Sequence, residues 1–297
     1  MPLNDSEELT TRLRIRVCGE VEAEIASAEA WEAGASGVTD EGAGLGDAIE
    51  LIAYLPAARA PELRAALVMT LADIEIGPSE IVVEEAWAET WKKHLKPIEV
   101  SERLVVRPSF APVELSPGQA ELIIDPGQAF GTGAHHSTRL ALECLDLRLS
   151  RVPASTVLDV GTGSGVLALA ALCLGAKSAT GFDLDPLAEP AAVDAAQHNG
   201  LAQSFDCMTG GIDDVADGVF DVVVANLLLR ELLPIVESVA QRVAEGGALV
   251  LAGLLARDVD SVLEAFAASR PAFALESRLE RIDADGEVWV GVVLVAG

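Results

Sequence analysis

Positive charge is scarce in this chain of 297 residues. It has 20 lysine and arginine residues against 47 aspartate and glutamate residues, which gives a formal net charge of −27. Proteins that bind DNA or RNA neutralise phosphates with lysine and arginine, so this balance argues against a nucleic acid as direct partner. Two explanations of the charge remain open: a solvated acidic surface, as in adaptation to high salt, and a field that speeds encounter with a basic partner.

Long apolar runs, an apolar leader and closely spaced cysteines are also missing. No apolar run approaches the ~18 to 20 residues that span a bilayer, and the acidic N-terminal stretch lacks the apolar segment of a secretory signal. The cysteines, Cys18, Cys144, Cys173 and Cys207, are far apart, which favours buried thiols over a disulfide framework or a zinc site. We therefore expect a cytoplasmic protein with no membrane partner.

A glycine-rich loop is the most informative stretch that is present. Gly161, Gly163 and Gly165 follow a short apolar run at 156–160 and precede an apolar helical pattern. This order predicts a strand, a tight loop and a helix whose first N–H groups point at a ligand. A dinucleotide fingerprint needs glycine at position 166, where this chain has Val166, so the loop argues against a nicotinamide cofactor.

Two further predicted strands end in polar residues, Asp183 and Asn226. In a doubly wound sheet, ligands lie outside the carboxyl ends of the strands. Asp183 lies 22 residues beyond Gly161, about where an acid accepts hydrogen bonds from ribose hydroxyls, so we predict an adenosine-type cofactor. The structural alternatives are a helix N-cap or a solvated turn for Asp183 and a strand-end turn residue for Asn226.

The chain organisation predicts two domains. The order strand, helix, strand, strand, helix, strand over residues 1–88 predicts a ferredoxin-like α+β unit, with glycine-rich turns at 34–46 and a last strand at 79–84. Residues 89–101 are predicted as a linker helix, preceded by Trp87 and carrying Trp91. Residues 102–297 alternate strands and helices and close with a hairpin, which predicts a doubly wound sheet with an antiparallel edge.

Two helices of the second domain are also predicted. One runs from about Arg139 to Leu147, and either Ser137 or Thr138 is predicted to cap it. The other runs from Glu231 to Ala244.

Several motifs together resemble one enzyme family. They are Asp125-Pro-Gly-Gln-Ala-Phe-Gly-Thr-Gly-Ala-His135 with Ser137-Thr138, Val224-Ala-Asn-Leu-Leu228, and Gly286-Glu287. The set resembles the PrmA type of methyltransferase, which acts on the eleventh protein of the large ribosomal subunit and is a class I S-adenosylmethionine-dependent enzyme. The resemblance covers 87–297 well and 1–86 only in element order. One departure is His136, where the family usually has proline.

The resemblance implies a Rossmann-like methyltransferase sheet and S-adenosylmethionine as cofactor. It implies a basic ribosomal protein of the stalk base as partner, gripped by the N-terminal domain, and multiple methylation of lysine or N-terminal amino groups. By match to its motifs, the implied cofactor contacts are Thr138, Gly161, Asp183 and Asn226. We predict Gly163, Gly165 and Phe130 as further cofactor contacts and Asn226 and Leu227 as the catalytic residues. We expect a monomer. We also expect no metal site, because no cysteine or glutamate at metal-ligand spacing accompanies His135 and His136.

The chemistry of an amine methyltransferase agrees with a neutral residue at Asn226. A solvent-exposed lysine has a pKa near 10.4, so presenting the neutral amine at pH 7 costs roughly 4.6 kcal/mol. The side-chain oxygen of Asn226 orients an N–H without stabilising the ammonium, as a carboxylate would. Because the transfer needs alignment more than proton transfer, we assign no general base. Phe130 is predicted to lie over the cofactor or the amine, with packing as the alternative.

Other functions remain open at this level. The substrate is another protein lysine or a small amine in one alternative. In two more, the chain is a non-catalytic module that binds S-adenosylmethionine or a nicotinamide oxidoreductase, and Val166 speaks against the last.

Overall fold

A computed structural model describes residues 10–18, 20–35, 37–43, 48–71, 74–81, 96–125, 136–152, 156–269, 272–283 and 286–297. The chain divides into two compact units, Met1–His94 and Leu95–Gly297. Phe130 and His135 of the predicted loop lie outside the described residues, as do Trp87 and Trp91. No helix of the described ranges is long and apolar enough to cross a membrane.

The N-terminal unit is a four-stranded antiparallel sheet with two helices. Its elements are β1 (Thr10–Cys18), α1 (Glu20–Glu32), β2 (Gly37–Ala43), β3 (Ala48–Pro56), a 3₁₀ turn (Ala57–Arg59), α2 (Ala60–Thr70) and β4 (Ile74–Ile81). The strand order is β2-β3-β1-β4, and every pairing is antiparallel. This is the predicted ferredoxin-like arrangement, which is confirmed.

Alternation along β1 explains how this unit builds its core. Leu13, Ile15 and Val17 are buried and pack with the helices, whose contribution includes Leu63 and Leu67 of α2. The arginines between them face away and pair with glutamates on the neighbouring strands β3 and β4. Successive side chains of a strand point to opposite faces, so the sequence period of two fixes which face is buried.

Three predicted boundaries in this part of the chain are wrong. The glycine-rich stretch at 37–43 is strand β2, since backbone pairing to β3 needs no side chains and overrides low strand propensity. Strand β4 begins at Ile74, not at Ser79. The predicted linker helix does not reach 101, because Ile98–Ser101 is strand β5, which pairs with the strand that follows it.

The second unit contains a seven-stranded sheet with helices on both faces and a small three-stranded sheet. The bounds of its elements are β5 (Ile98–Ser101), β6 (Leu104–Arg107), β7 (Ala120–Ile123), α3 (His136–Arg151), β8 (Thr156–Val160), α4 (Val166–Cys173), β9 (Ser178–Asp183), α5 (Ala188–His198), β10 (Phe205–Thr209), a 3₁₀ turn (Ile212–Asp214), β11 (Phe220–Asn226), α6 (Leu229–Leu232), a 3₁₀ turn (Leu233–Ile235), α7 (Val236–Gln241), β12 (Val243–Leu255), α8 (Val259–Ala268), β13 (Phe273–Ile282) and β14 (Val288–Ala296).

The large sheet has the order β10-β9-β8-β11-β12-β14-β13. Its first five strands are parallel, while β14 is antiparallel to β12 and β13 is antiparallel to β14. The predicted Rossmann-like sheet with a C-terminal antiparallel hairpin is therefore confirmed. Because the strand order reverses between β8 and β11, the carboxyl ends of these strands flank the crevice in which such sheets bind ligands.

The sheet is buried on both faces. In β11, Val222 and Val224 belong to the core shared with α3, α4 and α5. Val223 and Ala225 belong to the core shared with α7 and α8. A strand buried on both faces reads as a continuous apolar run, as predicted for this segment.

The predicted helix from Glu231 to Ala244 is wrong. The structure has two short helices, α6 and α7, joined by the 3₁₀ turn that contains Pro234. Proline has no N–H to donate and its ring obstructs the preceding turn, so a regular α-helix does not continue through it. Val243 and Ala244 already belong to β12.

Candidate functional site

A cavity of about 660 Å³ opens at the carboxyl ends of the central strands. Its walls come from the ends of β8, β9, β11 and β12, from the start of α3, and from β14. The described lining residues are Ser137, Thr138, Gly161, Thr162, Gly163, Val166, Leu167, Phe182, Asp183, Leu184, Asp185, Ala188, Asn226, Leu227, Leu228, Glu231, Gly253 and Trp289. Predicted site residues from four separate stretches therefore meet at one cavity.

The glycine loop needs its glycines for conformation and for space. Gly161, Gly163 and Gly165 have φ values of 71°, 51° and 79°, a region that other residues rarely adopt. A Cβ on Gly161 would lie 2.8 Å from Cδ2 of Leu227. Gly165, predicted as a cofactor contact, is not among the described residues that line the cavity. It is the N-cap residue of α4, and a Cβ there would lie 3.0 Å from the Cβ of Ala192. Its lack of a side chain serves helix packing.

Asp159 is a fully buried residue of β8 that forms hydrogen bonds with the glycine loop and with α4. Its Oδ2 accepts hydrogen bonds from Thr162 Oγ1 at 2.9 Å and from the backbone N–H of Ala168 at 3.1 Å. Its Oδ1 is buried, and no described residue donates to it. Burial, with a smaller contribution from the charge of Asp183, raises the pKa of Asp159 to about 7, against the lowering effect of the two hydrogen bonds. Sequence reasoning assigned Asp159 no role.

Asp183 joins the loop to the end of β9. Its Oδ2 accepts a hydrogen bond from the backbone N–H of Gly163 at 2.8 Å, and its Oδ1 accepts one from that of Asp185 at 3.0 Å. A carboxylate oxygen has two lone pairs, so each oxygen retains acceptor capacity toward the cavity. The carboxylate is thus held in place by the backbone while it lines the cavity, as a ribose acceptor must be.

Asn226 and Thr138 form the opposite wall. Nδ2 of Asn226 donates to Oγ1 of Thr138 at 3.2 Å, across 88 positions of sequence. Oδ1 of Asn226 is buried, and the described part of the chain offers it no donor. The predicted capping role of Ser137 or Thr138 is wrong, because α3 already begins at His136 and the Thr138 hydroxyl meets Asn226 instead. Leu227 lines the cavity next to Asn226.

The charge of the cavity wall is negative. Asp183, Asp185 and Glu231 line it, and its described lining includes no lysine, arginine or histidine. Such a wall suits a cationic ligand, whereas phosphate groups would meet carboxylates of like charge. Val166 also lines the cavity, at the position where a dinucleotide-binding loop needs glycine. Among the described residues, no group of three or more metal-ligating side chains is placed to hold a metal ion.

Three further lining residues were missed by sequence reasoning. Glu231, the third residue of the short helix α6, accepts a hydrogen bond from the backbone N–H of Leu228, the N-cap residue, at 3.1 Å. Trp289 of β14 donates its indole N–H to Oδ2 of Asp283 at 2.9 Å. Gly253 carries a signal that sequence reasoning passed over, because an isolated glycine inside a strand pattern often marks a bulge or a close backbone approach.

Comparisons with known proteins give the family. A family model described as ribosomal protein L11 methyltransferase (PrmA) matches residues 7–294. A ribosomal protein L11 methyltransferase of Syntrophotalea carbinolica is 38% identical over 241 residues, which cover 77% of this chain and 78% of that protein. One of Trichlorobacter lovleyi is 41% identical over 177 residues, which cover 58% of each. The chain thus spans less than two thirds of the latter's length.

A solved structure gives the same result for the fold. The crystal structure of ribosomal protein L11 methylase from Lactobacillus delbrueckii subsp. bulgaricus matches with a TM-score of 0.59 at 30% sequence identity. The match covers 68% of this chain and 98% of that one.

The residues of the cavity fit S-adenosylmethionine, the cofactor of this methyltransferase family. Gly161 and Gly163 line the cavity with backbone alone, Asp183 presents carboxylate oxygens, and no lysine, arginine or histidine of the described lining opposes the sulfonium and ammonium groups. The buried Oδ1 of Asn226 is left to accept a hydrogen bond from a ligand.

Proposed function

Because the chain belongs to the ribosomal protein L11 methyltransferase (PrmA) family, we propose that it transfers methyl groups from S-adenosylmethionine to amino groups of ribosomal protein L11. The acceptors are lysine side chains, the N-terminal amine, or both. The observation that carries the proposal is the neutral amide of Asn226, whose buried oxygen has no described partner, in the cavity that also holds the glycine loop.

The donor is held by the loop and by the strand ends beside it. Gly161 and Gly163 would face it with backbone alone, and Asp183 would accept hydrogen bonds from its ribose hydroxyls. When bound, S-adenosylmethionine supplies an electrophilic methyl group. Thr138 fixes the amide plane of Asn226 through its hydroxyl, so the Asn226 oxygen keeps one direction.

The acceptor amine must arrive neutral and aligned. Loss of the lysine proton at pH 7 costs roughly 4.6 kcal/mol, and a carboxylate in the place of Asn226 would raise that cost by stabilising the ammonium. The amide oxygen of Asn226 would accept a hydrogen bond from an N–H of the amine, which would orient the lone pair of the amine nitrogen toward the methyl group that the cofactor supplies. Alignment of this kind accounts for a large part of the catalysis of such transfers.

The two units of the chain divide the work in this proposal. The unit Met1–His94 recognises the ribosomal protein, and the unit Leu95–Gly297 carries out the transfer. The net charge of −27 attracts a basic substrate of the stalk base, with the protein acting as a monomer in the cytoplasm.

Mass spectrometry tests the proposal directly. Purified L11 is incubated with the full-length protein and S-adenosylmethionine carrying a deuterated methyl group. We expect labelled methyl groups on lysines or the N-terminus of L11, and a transfer rate at low substrate concentration that falls as salt is added. A parallel reaction with a chain beginning at Leu95 is expected to leave L11 unlabelled. Label that enters a small amine and never L11 would refute the assigned substrate.

A further inference from the structure

Gly253 occupies a bulge near the end of β12. The pairing of β12 with β14 shifts by one residue between Leu251 and Leu254, so β12 carries one extra residue there. Gly253 lies in this bulge with a φ of 81°. A bulge of this kind re-aims the backbone of its strand and is frequent beside active sites.

The bulge brings Gly253 against the main chain of Leu227. An ideal Cβ on Gly253 would lie 2.5 Å from the carbonyl oxygen of Leu227, 2.8 Å from its carbonyl carbon and 3.0 Å from its nitrogen. All three atoms are backbone, so no side-chain rotation relieves the contact. An ordinary contact near 3.4 Å would require the Leu227 peptide group to move by about 1 Å.

A second glycine touches the other part of the same residue. A Cβ on Gly161 would lie 2.8 Å from Cδ2 of Leu227. Leu227 is therefore held between the glycine loop, which contacts its side chain, and the β12 bulge, which contacts its backbone. Its N–H also donates to the carbonyl of Ala252 at 3.2 Å, which extends the pairing of β11 with β12.

We propose that Gly253 is a positioning residue, which sets the distance between the main chain of Leu227 and the glycine loop by allowing β12 to approach Leu227 without a side chain. Gly253 acts through Leu227 and touches no reacting atom in this role. The inference rests on the proposed function, because the distance matters for the alignment of donor methyl group and acceptor amine. A displacement of about 1 Å in an active site costs up to ~10²-fold in rate.

The test compares two alanine substitutions on the same strand. Gly253→Ala introduces the clash with Leu227, whereas Gly246→Ala has a similar φ of 68° and no atom within 4 Å of the added Cβ. We expect Gly253→Ala to lower kcat for methyl transfer about 10- to 100-fold and to change the Kd for S-adenosylmethionine less than about threefold. Gly246→Ala is expected to leave both values near wild type.

Hydrogen exchange supplies a readout that does not depend on the substrate. The backbone N–H of Leu227 is expected to exchange faster in Gly253→Ala than in Gly246→Ala. The added Cβ displaces Leu227 and so weakens the hydrogen bond from this N–H to the carbonyl of Ala252. Equal kcat and equal exchange in the two variants would overturn the proposal. If the wild-type protein fails to methylate L11, the proposed function fails alone, and hydrogen exchange still tests the role of Gly253.

A double substitution keeps the proposal testable if Gly253→Ala does not fold. Gly161→Ala is expected to weaken S-adenosylmethionine binding through its contact with Leu227 Cδ2, and Leu227→Ala removes that atom. The double variant Gly161→Ala with Leu227→Ala is expected to regain part of the lost affinity. If the double variant regains no affinity, Leu227 is not coupled to the glycine loop. Gly253 could then not act on the loop through Leu227, which overturns the proposal.

Discussion

The two ends of the cavity are built in different ways. At the β8 and β9 end, backbone N–H groups of the loop from 161 to 165 donate to β9. Gly163 donates to the carboxylate of Asp183, and Gly161 and Thr162 donate to the carbonyl of Phe182. At the β11 and β12 end, Asn226 contacts Thr138 from 88 positions away and keeps a buried oxygen without a described partner. At the first end, the acceptors that face the cavity are already held in place by backbone hydrogen bonds, whereas at the second end the buried Oδ1 of Asn226 has no described donor.

The largest expected effect comes from closing the donor end. Gly161→Val places a branched side chain at a φ of 71° and within contact distance of Leu227, so we expect the affinity for S-adenosylmethionine to fall at least about 100-fold. Isothermal titration calorimetry measures the affinity, and circular dichroism checks that the sheet remains folded. Unchanged affinity would remove the loop from the donor site.

A smaller effect, at the acceptor end, distinguishes chemistry from binding. Asn226→Asp replaces the neutral amide with a carboxylate that holds the acceptor amine in its ammonium form, so kcat is expected to fall at least about tenfold at pH 7. The Kd for S-adenosylmethionine is expected to change less than kcat. Single-turnover methyl transfer measures the first quantity and calorimetry the second. An unimpaired rate would exclude Asn226 from the amine site.

The smallest effect concerns the contribution of Asp159, which lies under the glycine loop, to the free energy of unfolding. Burial raises the pKa of Asp159 to about 7, above its value of 3.8 in an exposed chain, so the folded state binds more protons than the unfolded state between these two pH values. The contribution of Asp159 to stability is therefore largest below pH 4 and is lost as the pH rises toward 7. Asp159→Asn keeps an oxygen acceptor and removes this titration.

Urea unfolding at several pH values measures that effect. We expect the stability of Asp159→Asn relative to wild type to rise by on the order of 1 kcal/mol or more between pH 4 and pH 7 and to stay level above pH 8. Comparing the two proteins cancels the pH dependence that the other acidic groups share. A relative stability that is constant from pH 4 to pH 8 would show that Asp159 is ionised throughout.

The donor end was predictable because its signals are local. Gly161, Gly163 and the β8 run lie within ten positions, and their types report the loop conformation directly. Asp183 was predictable because parallel strands that follow one another along the chain end at the same edge. Alternation and apolar runs likewise predicted β1, β11 and the closing hairpin.

At the β11 and β12 end, the strand-end position of Asn226 predicted its place at the cavity, while the catalytic role of Asn226 and Leu227 stays a prediction. Nothing local connects Gly253 or Trp289 to the cavity, because their places depend on the register of β12 with β14. The helix predicted from Glu231 to Ala244 is interrupted at Pro234. The sequence alone could have predicted this break, because proline interrupts a regular α-helix. Phe130 lies outside the described residues and stays a prediction.

The sequence by itself determined the two folds, the glycine loop and the position of Asp183 at the end of β9, because these depend on periodicity, glycine conformation and short spacing. Only the tertiary structure decided that Gly165 packs against α5, that Thr138 meets Asn226, and that Leu227 is held between two glycines. Those contacts join residues up to 88 positions apart, and their distances follow from strand register and helix packing.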